Sequence, residues 1–148
     1  MAGPDAKAEL IPQRVLAGRY HLVRLIAVGG MAEVWEGRDA VLARPVAVKV
    51  LMAHLAARPG FNERFRREAV AAARLVHPHI VATFDAGTTA EGGHDELGFI
   101  VMELISGPTL RQLLEGSHRL PPRLAVAIAV QAADALDHAH RSGVVHRD

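Results

Sequence analysis

Residues 44–51 read RPVAVKVL, a β-branched apolar run with one lysine, Lys49, inside it. Such a run predicts a strand. A lysine in a half-buried strand needs a partner or must give up its charge. One reading is an edge strand whose lysine lays its stem along the sheet and keeps its ammonium in water. The other is a cation aimed at a phosphate from a rigid element. Toward the N-terminus lie two more strand-like stretches. YHLVRLIA (20–27) sets Tyr20, Leu22, Leu25 and Ile26 among polar residues, and AEVWEGRDA (32–40) alternates Val34 and Trp35 with charge. The turn VGG (28–30) joins them, and three strands with short links predict an antiparallel meander. Gly3, Pro4 and Pro12 interrupt any period further back, so residues 1–17 are expected to be a mobile leader.

Toward the C-terminus, Pro59-Gly60 breaks the chain and Asn62 is the expected N-cap of a helix. Phe65, Ala69, Ala72, Ala73 and Val76 fall on one stripe of it, and His77-Pro78 ends it. HIVATFDAG (79–87) and LGFIVMEL (97–104) predict two more strands, the second nearly apolar and therefore central. The polar, glycine-rich TTAEGGHDE (88–96) separates them as a loop. Thr109 is placed to cap a short helix, Leu110 to Glu115, closed by Gly116. Pro121-Pro122 then opens a long helix with Leu124, Ile128, Ala132, Leu136 and Ala139 along one side, stopped by Gly143.

The whole chain has 148 residues, 50% hydrophobic and 22% charged, which fits one domain and excludes disorder. Lys+Arg is 17 against 16 Asp+Glu, so the net charge of +1 lacks the footprint of a nucleic-acid binder. With no cysteine, disulfide scaffolds, thiolate zinc sites and Cys nucleophiles are excluded. The longest apolar run, Leu124 to Val130, is far short of the ~20 residues of a membrane span. The first residues carry no apolar signal core. The histidine pairs His77/His79 and His138/His140 are spaced so that two rings on a helix diverge, and no metal site is expected.

Three further features carry chemistry. In IAVGGMAEV (26–34), glycines between two strands let backbone N–H groups approach a phosphate where a Cβ would clash, although a plain hairpin turn reads the same way. Glu68 lies at the margin of the apolar stripe, with Arg64 and Arg67 near enough for an ordinary surface salt bridge. HRD at 146–148 follows the long helix directly.

In order and spacing, IAVGGMAEVW, VAVKVL, FRREAVAAARLVHPHIV, FIVMELISGPTLRQLL and GVVHRD resemble the first half of a eukaryotic-like (Hanks-type) serine/threonine protein kinase of the bacterial kind. The resemblance implies an α+β fold, a five-stranded antiparallel small lobe with one main helix and then the first helices of an incomplete large lobe. It divides the chain into the leader, the small lobe and hinge (18–105) and the start of the large lobe (106–148). It implies transfer of the ATP γ-phosphoryl group to protein Ser or Thr hydroxyls. Lys49 would contact phosphates, Glu68 would fix Lys49, and Asp148 would orient the hydroxyl. Ile26, Ala27, Gly29 and Gly30 would form the loop over the nucleotide, and Val34 and Ala47 the apolar roof. Met102 would be the gatekeeper, and the backbone of Glu103 and Ile105 the adenine-binding hinge. His146 would pack as part of the catalytic loop. Mg²⁺ is expected in the intact enzyme with its protein ligands beyond Asp148, so the chain is expected to be a nucleotide-binding fragment, inactive alone. ATP and protein substrates are the implied partners, with no nucleic acid and no membrane segment. A cytoplasmic kinase domain is implied, and a kinase dimer is compatible with it. One departure is Ala27, where the family's loop begins with glycine. The alternative reading is a pseudokinase-like nucleotide-binding or scaffold module without catalysis.

Overall fold

The computed structural model describes residues 14–90, 96–117 and 119–147. Its strands are Val15–Leu16 (β1), Tyr20–Val28 (β2), Ala32–Asp39 (β3), Arg44–Leu51 (β4), Thr83–Thr89 (β5) and Leu97–Met102 (β6). They form one antiparallel sheet in the order β1-β2-β3-β4-β6-β5. The meander of β2, β3 and β4 is as expected, and β6 is interior, between β4 and β5. The sheet has six strands where the sequence predicted five. The addition is β1, which pairs Val15 with His21 and Leu16 with Tyr20. Leu16 is fully buried, so the ordered lobe reaches back into the stretch assigned to the leader.

Alternation gives the sheet two apolar faces. On one, Leu16, Tyr20, Leu22, Val46, Val48, Val50, Phe99 and Val101 form a cluster in which none is more than 6% exposed. No helix residue belongs to it, so the strands themselves enclose it. Each such side chain contributes about 1.5–3 kcal/mol by burial. The other face packs Ala32, Leu51, Leu97 and Ile100 against two helices, Ala53–Ala56 (α1) and Phe61–Ala73 (α2).

Helix α2 departs from its expected limits at both ends. Its N-cap is Gly60, at φ +83°, a conformation that a side chain would strain. Asn62 lies inside the first turn and its side chain bonds elsewhere. At the other end the helix stops at Ala73. The chain leaves the helical phase there, so Leu75 is buried and Val76 is 84% exposed. His77 and His79 therefore sit in a loop, with ring centroids 5.4 Å apart.

Two helices follow, Leu110–Ser117 (α3) and Pro122–Arg141 (α4). Thr109 and Gln112 cap α3 reciprocally: Thr109 Oγ1 accepts from the Gln112 N–H at 3.1 Å, and Gln112 Oε1 from the Thr109 N–H at 2.8 Å. Gly116 lies within α3 and does not close it. The expected apolar side of α4 is largely bare, with Leu124 45% and Leu136 42% exposed and only Ala139 buried. A histidine ties α4 to the small lobe. His77 Nδ1 accepts from the His79 backbone N–H at 3.1 Å, which leaves Nε2–H to donate to Asp134 at 3.1 Å.

Candidate functional site

Direct cross-strand partners share a face, so the register fixes which side chains meet. Ala27 is opposite Val34, Val34 opposite Lys49, and Lys49 opposite Ile100, a single row across β2, β3, β4 and β6. Ala47 is two residues from Lys49 on the same face and opposite Met102. The row and its neighbours thus gather Ala27, Val34, Ala47, Lys49 and Met102 on one side of the sheet, the side that carries α2. Ile26 lies at a register shift in β2, between paired Leu25 and Ala27, and is 44% exposed.

Lys49 finds its carboxylate there. Its Nζ donates to Glu68 Oε1 at 2.8 Å. It also stands 5.7 Å from the Phe65 ring centroid, within cation–π range. Glu68 is not taken by its neighbouring arginines, since Arg67 pairs with Glu63 at 3.1 Å. Lys49 is thus no solvated edge lysine. The pair is half open, with the Lys49 side chain 27% and the Glu68 side chain 51% exposed, so both charges remain accessible to a ligand.

The β2–β3 turn closes through Gly29 N–H to Ala32 O at 2.9 Å. Neither Gly29 nor Gly30 has a positive φ. A Cβ built at Gly29 would come no closer than 3.4 Å to the Ala32 carbonyl, and one at Gly30 would meet open space. The fold would therefore accept alanine at Gly30, and at Gly29 with little adjustment. What the glycines provide is bare backbone on the outside of the turn. After β6, Glu103 donates its N–H to Ala82 O at 2.9 Å, which leaves its carbonyl as the backbone group available to a ligand. Ile105 is 57% exposed beside it.

Asp148 lies outside the described residues. His146 is exposed, and lines a cavity of about 480 Å³ with Leu75, Ile80, Leu136 and Ala139. Among the described residues no group of three or more His, Asp or Glu could hold a metal ion, and no helix is long and apolar enough to cross a membrane.

The model of the protein kinase domain family matches residues 20–148. The chain belongs to the protein kinase family. Its kinase relatives include a probable serine/threonine-protein kinase of Streptomyces coelicolor, 47% identical over 137 residues, covering 91% of this chain and 20% of that protein. Serine/threonine-protein kinase PknB of Mycobacterium leprae is 47% identical over 90% of this chain and 21% of its own. PknA of Mycobacterium tuberculosis is 46% identical over 90% and 31%. The solved PknI kinase domain of Mycobacterium tuberculosis superposes with a TM-score of 0.74 at 35% identity, covering 92% of this chain and 53% of that one. The chain thus spans a fifth to a third of these curated relatives and about half of that solved kinase domain.

Sequence reasoning missed two features of this kinase lobe. One is a polar network at the end of the sheet remote from the glycine turn. Arg19 grips the buried Asp39 with two bonds, of 2.8 and 2.7 Å, and Asp39 also accepts from the N–H groups of Val41 and Leu42. The Arg19 bonds hold the Asp39 carboxyl well below the usual carboxylate range, against the opposing effect of burial. Tyr20 donates to Asp85, and burial first and Asp85 second push its hydroxyl above the usual phenol range. The other is the bonding of Asn62. Neither has a sequence signal beyond the presence of polar residues in ordered segments.

Proposed function

We propose that the chain is the ATP-binding half of a serine/threonine protein kinase domain. The observation that carries this reading is the Lys49–Glu68 pair at 2.8 Å, on the sheet face shared with Val34, Ala47 and Met102. An ammonium held from a strand by a helix carboxylate has little rotational freedom left. It presents a fixed cation where phosphate oxygens would lie, the kind of preorganised charge that phosphoryl transfer requires. Val34 and Ala47 offer an apolar surface to a base, and the Glu103 carbonyl an acceptor at its edge. The Gly29-Gly30 turn, closed by the Gly29 N–H, lets a phosphate approach its outer backbone without Cβ interference, with the Gly30 N–H as the proposed donor. These residues fit ATP. Mg²⁺, when bound, supplies charge neutralisation between phosphates, and its protein ligands are assigned to chain beyond Asp148 by family resemblance. Asp148 is the proposed acceptor of the substrate hydroxyl proton, which places the substrate beside the γ-phosphoryl group.

Two measurements test the reading. Calorimetric titration of residues 1–148 with ATP is expected to show saturable binding that Lys49→Met weakens. In a kinase extended through the rest of the domain, Mg²⁺-dependent phosphorylation of Ser or Thr is expected, abolished by Asp148→Asn. Binding without transfer in the extended protein would establish the pseudokinase alternative.

A further inference from the structure

We propose that Asn62 is a positioning residue that holds α2 where Glu68 can reach Lys49. The inference rests on the proposed role of that pair. Asn62 was expected to cap α2, but Gly60 occupies that position and Asn62 caps nothing. Its side-chain amide instead behaves as a short piece of β-ladder. Nδ2–H donates to Glu96 O at 2.8 Å, and Oδ1 accepts from the Gly98 N–H at 3.1 Å. Donor and acceptor are both matched only in this amide orientation, which removes ambiguity about the flip. A weaker contact reaches Ala56 O at 3.5 Å. One residue in the first turn of α2 is thereby fastened to the backbone at the start of β6.

The attachment leaves no slack. A Cβ built on Gly98 would fall 2.9 Å from Phe65 Cδ1 and 3.1 Å from Asn62 Oδ1. Gly98 is therefore the recess that lets this turn of α2 lie against the strand. Phe65, buried in that recess, is three residues before Glu68, and Ile100, two residues beyond Gly98, is the cross-strand partner of Lys49. The clamp thus joins α2, which carries Glu68, to β6, the strand paired with the β4 strand that carries Lys49, six residues before Glu68 along the helix. Without it, α2 keeps its apolar seat through Phe65 and Ala69 but gains freedom to swing about that seat.

The chain has only two lysines, Lys7 and Lys49, so acylation of Lys49 is resolved cleanly by peptide mass. An ammonium held by a carboxylate must lose that partner and a proton before it attacks an ester. The experiment is acylation of the full 148-residue chain by an N-hydroxysuccinimide ester, with the Lys49 rate measured in wild type, Asn62→Ala, Gly98→Ala and Glu68→Ala. Glu68→Ala defines the unpaired rate. Each net hydrogen bond shifts an equilibrium by about two- to tenfold. Asn62→Ala and Gly98→Ala are therefore expected to raise Lys49 labelling at least about threefold, toward the Glu68→Ala value, with the circular dichroism of the sheet unchanged. Labelling at the wild-type rate in both variants would overturn the proposal, and so would a Glu68→Ala rate no faster than wild type. Loss of the fold in Asn62→Ala leaves Gly98→Ala to decide; loss of the fold in both would make Asn62 a folding residue and also overturn it. A parallel ATP titration separates this from the kinase reading. Failure of wild type to bind ATP would sink that reading, while the nucleotide-free labelling still judges the clamp.

Discussion

Replacing Lys49 with methionine separates a lysine kept for stability from one kept for its charge. The pair that is lost is partly solvated, with the side chains 27% and 51% exposed. Ion pairs that open to water contribute about 0–1 kcal/mol. Methionine has nearly the length of the lysine stem and can lie beside the Phe65 ring as the stem does. The unfolding free energy is therefore expected to change by no more than about 1 kcal/mol, seen as a small shift in urea midpoint at constant slope. Nucleotide affinity should respond quite differently. A hydrogen bond to a charged group is worth about 1.5–3 kcal/mol, which converts to roughly ten- to hundredfold weaker ATP binding. Calorimetry on the two proteins at equal ionic strength measures this directly. Unchanged ATP affinity together with a stability loss above about 2 kcal/mol would refute the argument and make Lys49 a structural residue.

Other outcomes follow from the same geometry. Ala27→Gly should bind ATP a few-fold more tightly, because removing the Cβ frees the backbone where β2 enters the turn; equal or weaker binding in a titration would contradict this. Asp39→Asn should lower the urea midpoint at neutral pH. Because Arg19 lowers the folded-state pKa of Asp39, its contribution is complete above the ordinary carboxylate range and fades as pH falls toward the lowered value. The gap between wild type and Asp39→Asn should therefore close below about pH 4, and a gap independent of pH would refute the ion-pair account. Residues 1–148 alone should incorporate no phosphate into a generic protein substrate with radiolabelled ATP and Mg²⁺; incorporation that depends on Lys49 would show that the chain holds more of the machinery than proposed.

The strands were legible because a period of two is local. Val34, Ala47 and Lys49 could be placed in strands from RPVAVKVL and its neighbour alone, and the register then puts them on one face. Glu68 was different. By its own sequence context it had Arg64 and Arg67 as partners, and only the resemblance to kinases directed it to a strand nineteen residues away. Errors fell where tertiary contact overrides local signal. Asn62 has the chemistry of a cap, and the sequence cannot show that Gly60 takes that place and that β6 offers two backbone groups instead. Val76 fits the helical stripe, but the helix ends before it and Leu75 turns inward. β1 is only two residues long, too short to carry a period, and exists because Leu16 fills the enclosed face of the sheet.

The two apolar clusters use no residue beyond Met102. This has a consequence for synthesis. During translation, at roughly 5–20 residues per second, every side chain needed for both clusters has been added before α3 and α4 exist. The small lobe can close while later residues are still in the ribosomal tunnel, and the sheet face that carries Lys49 forms early. Leu124, Val126, Val130 and Leu136 then emerge onto a finished lobe that offers them little cover. That interval, between a completed first half and an unburied α4, is where a nascent chain would need a chaperone.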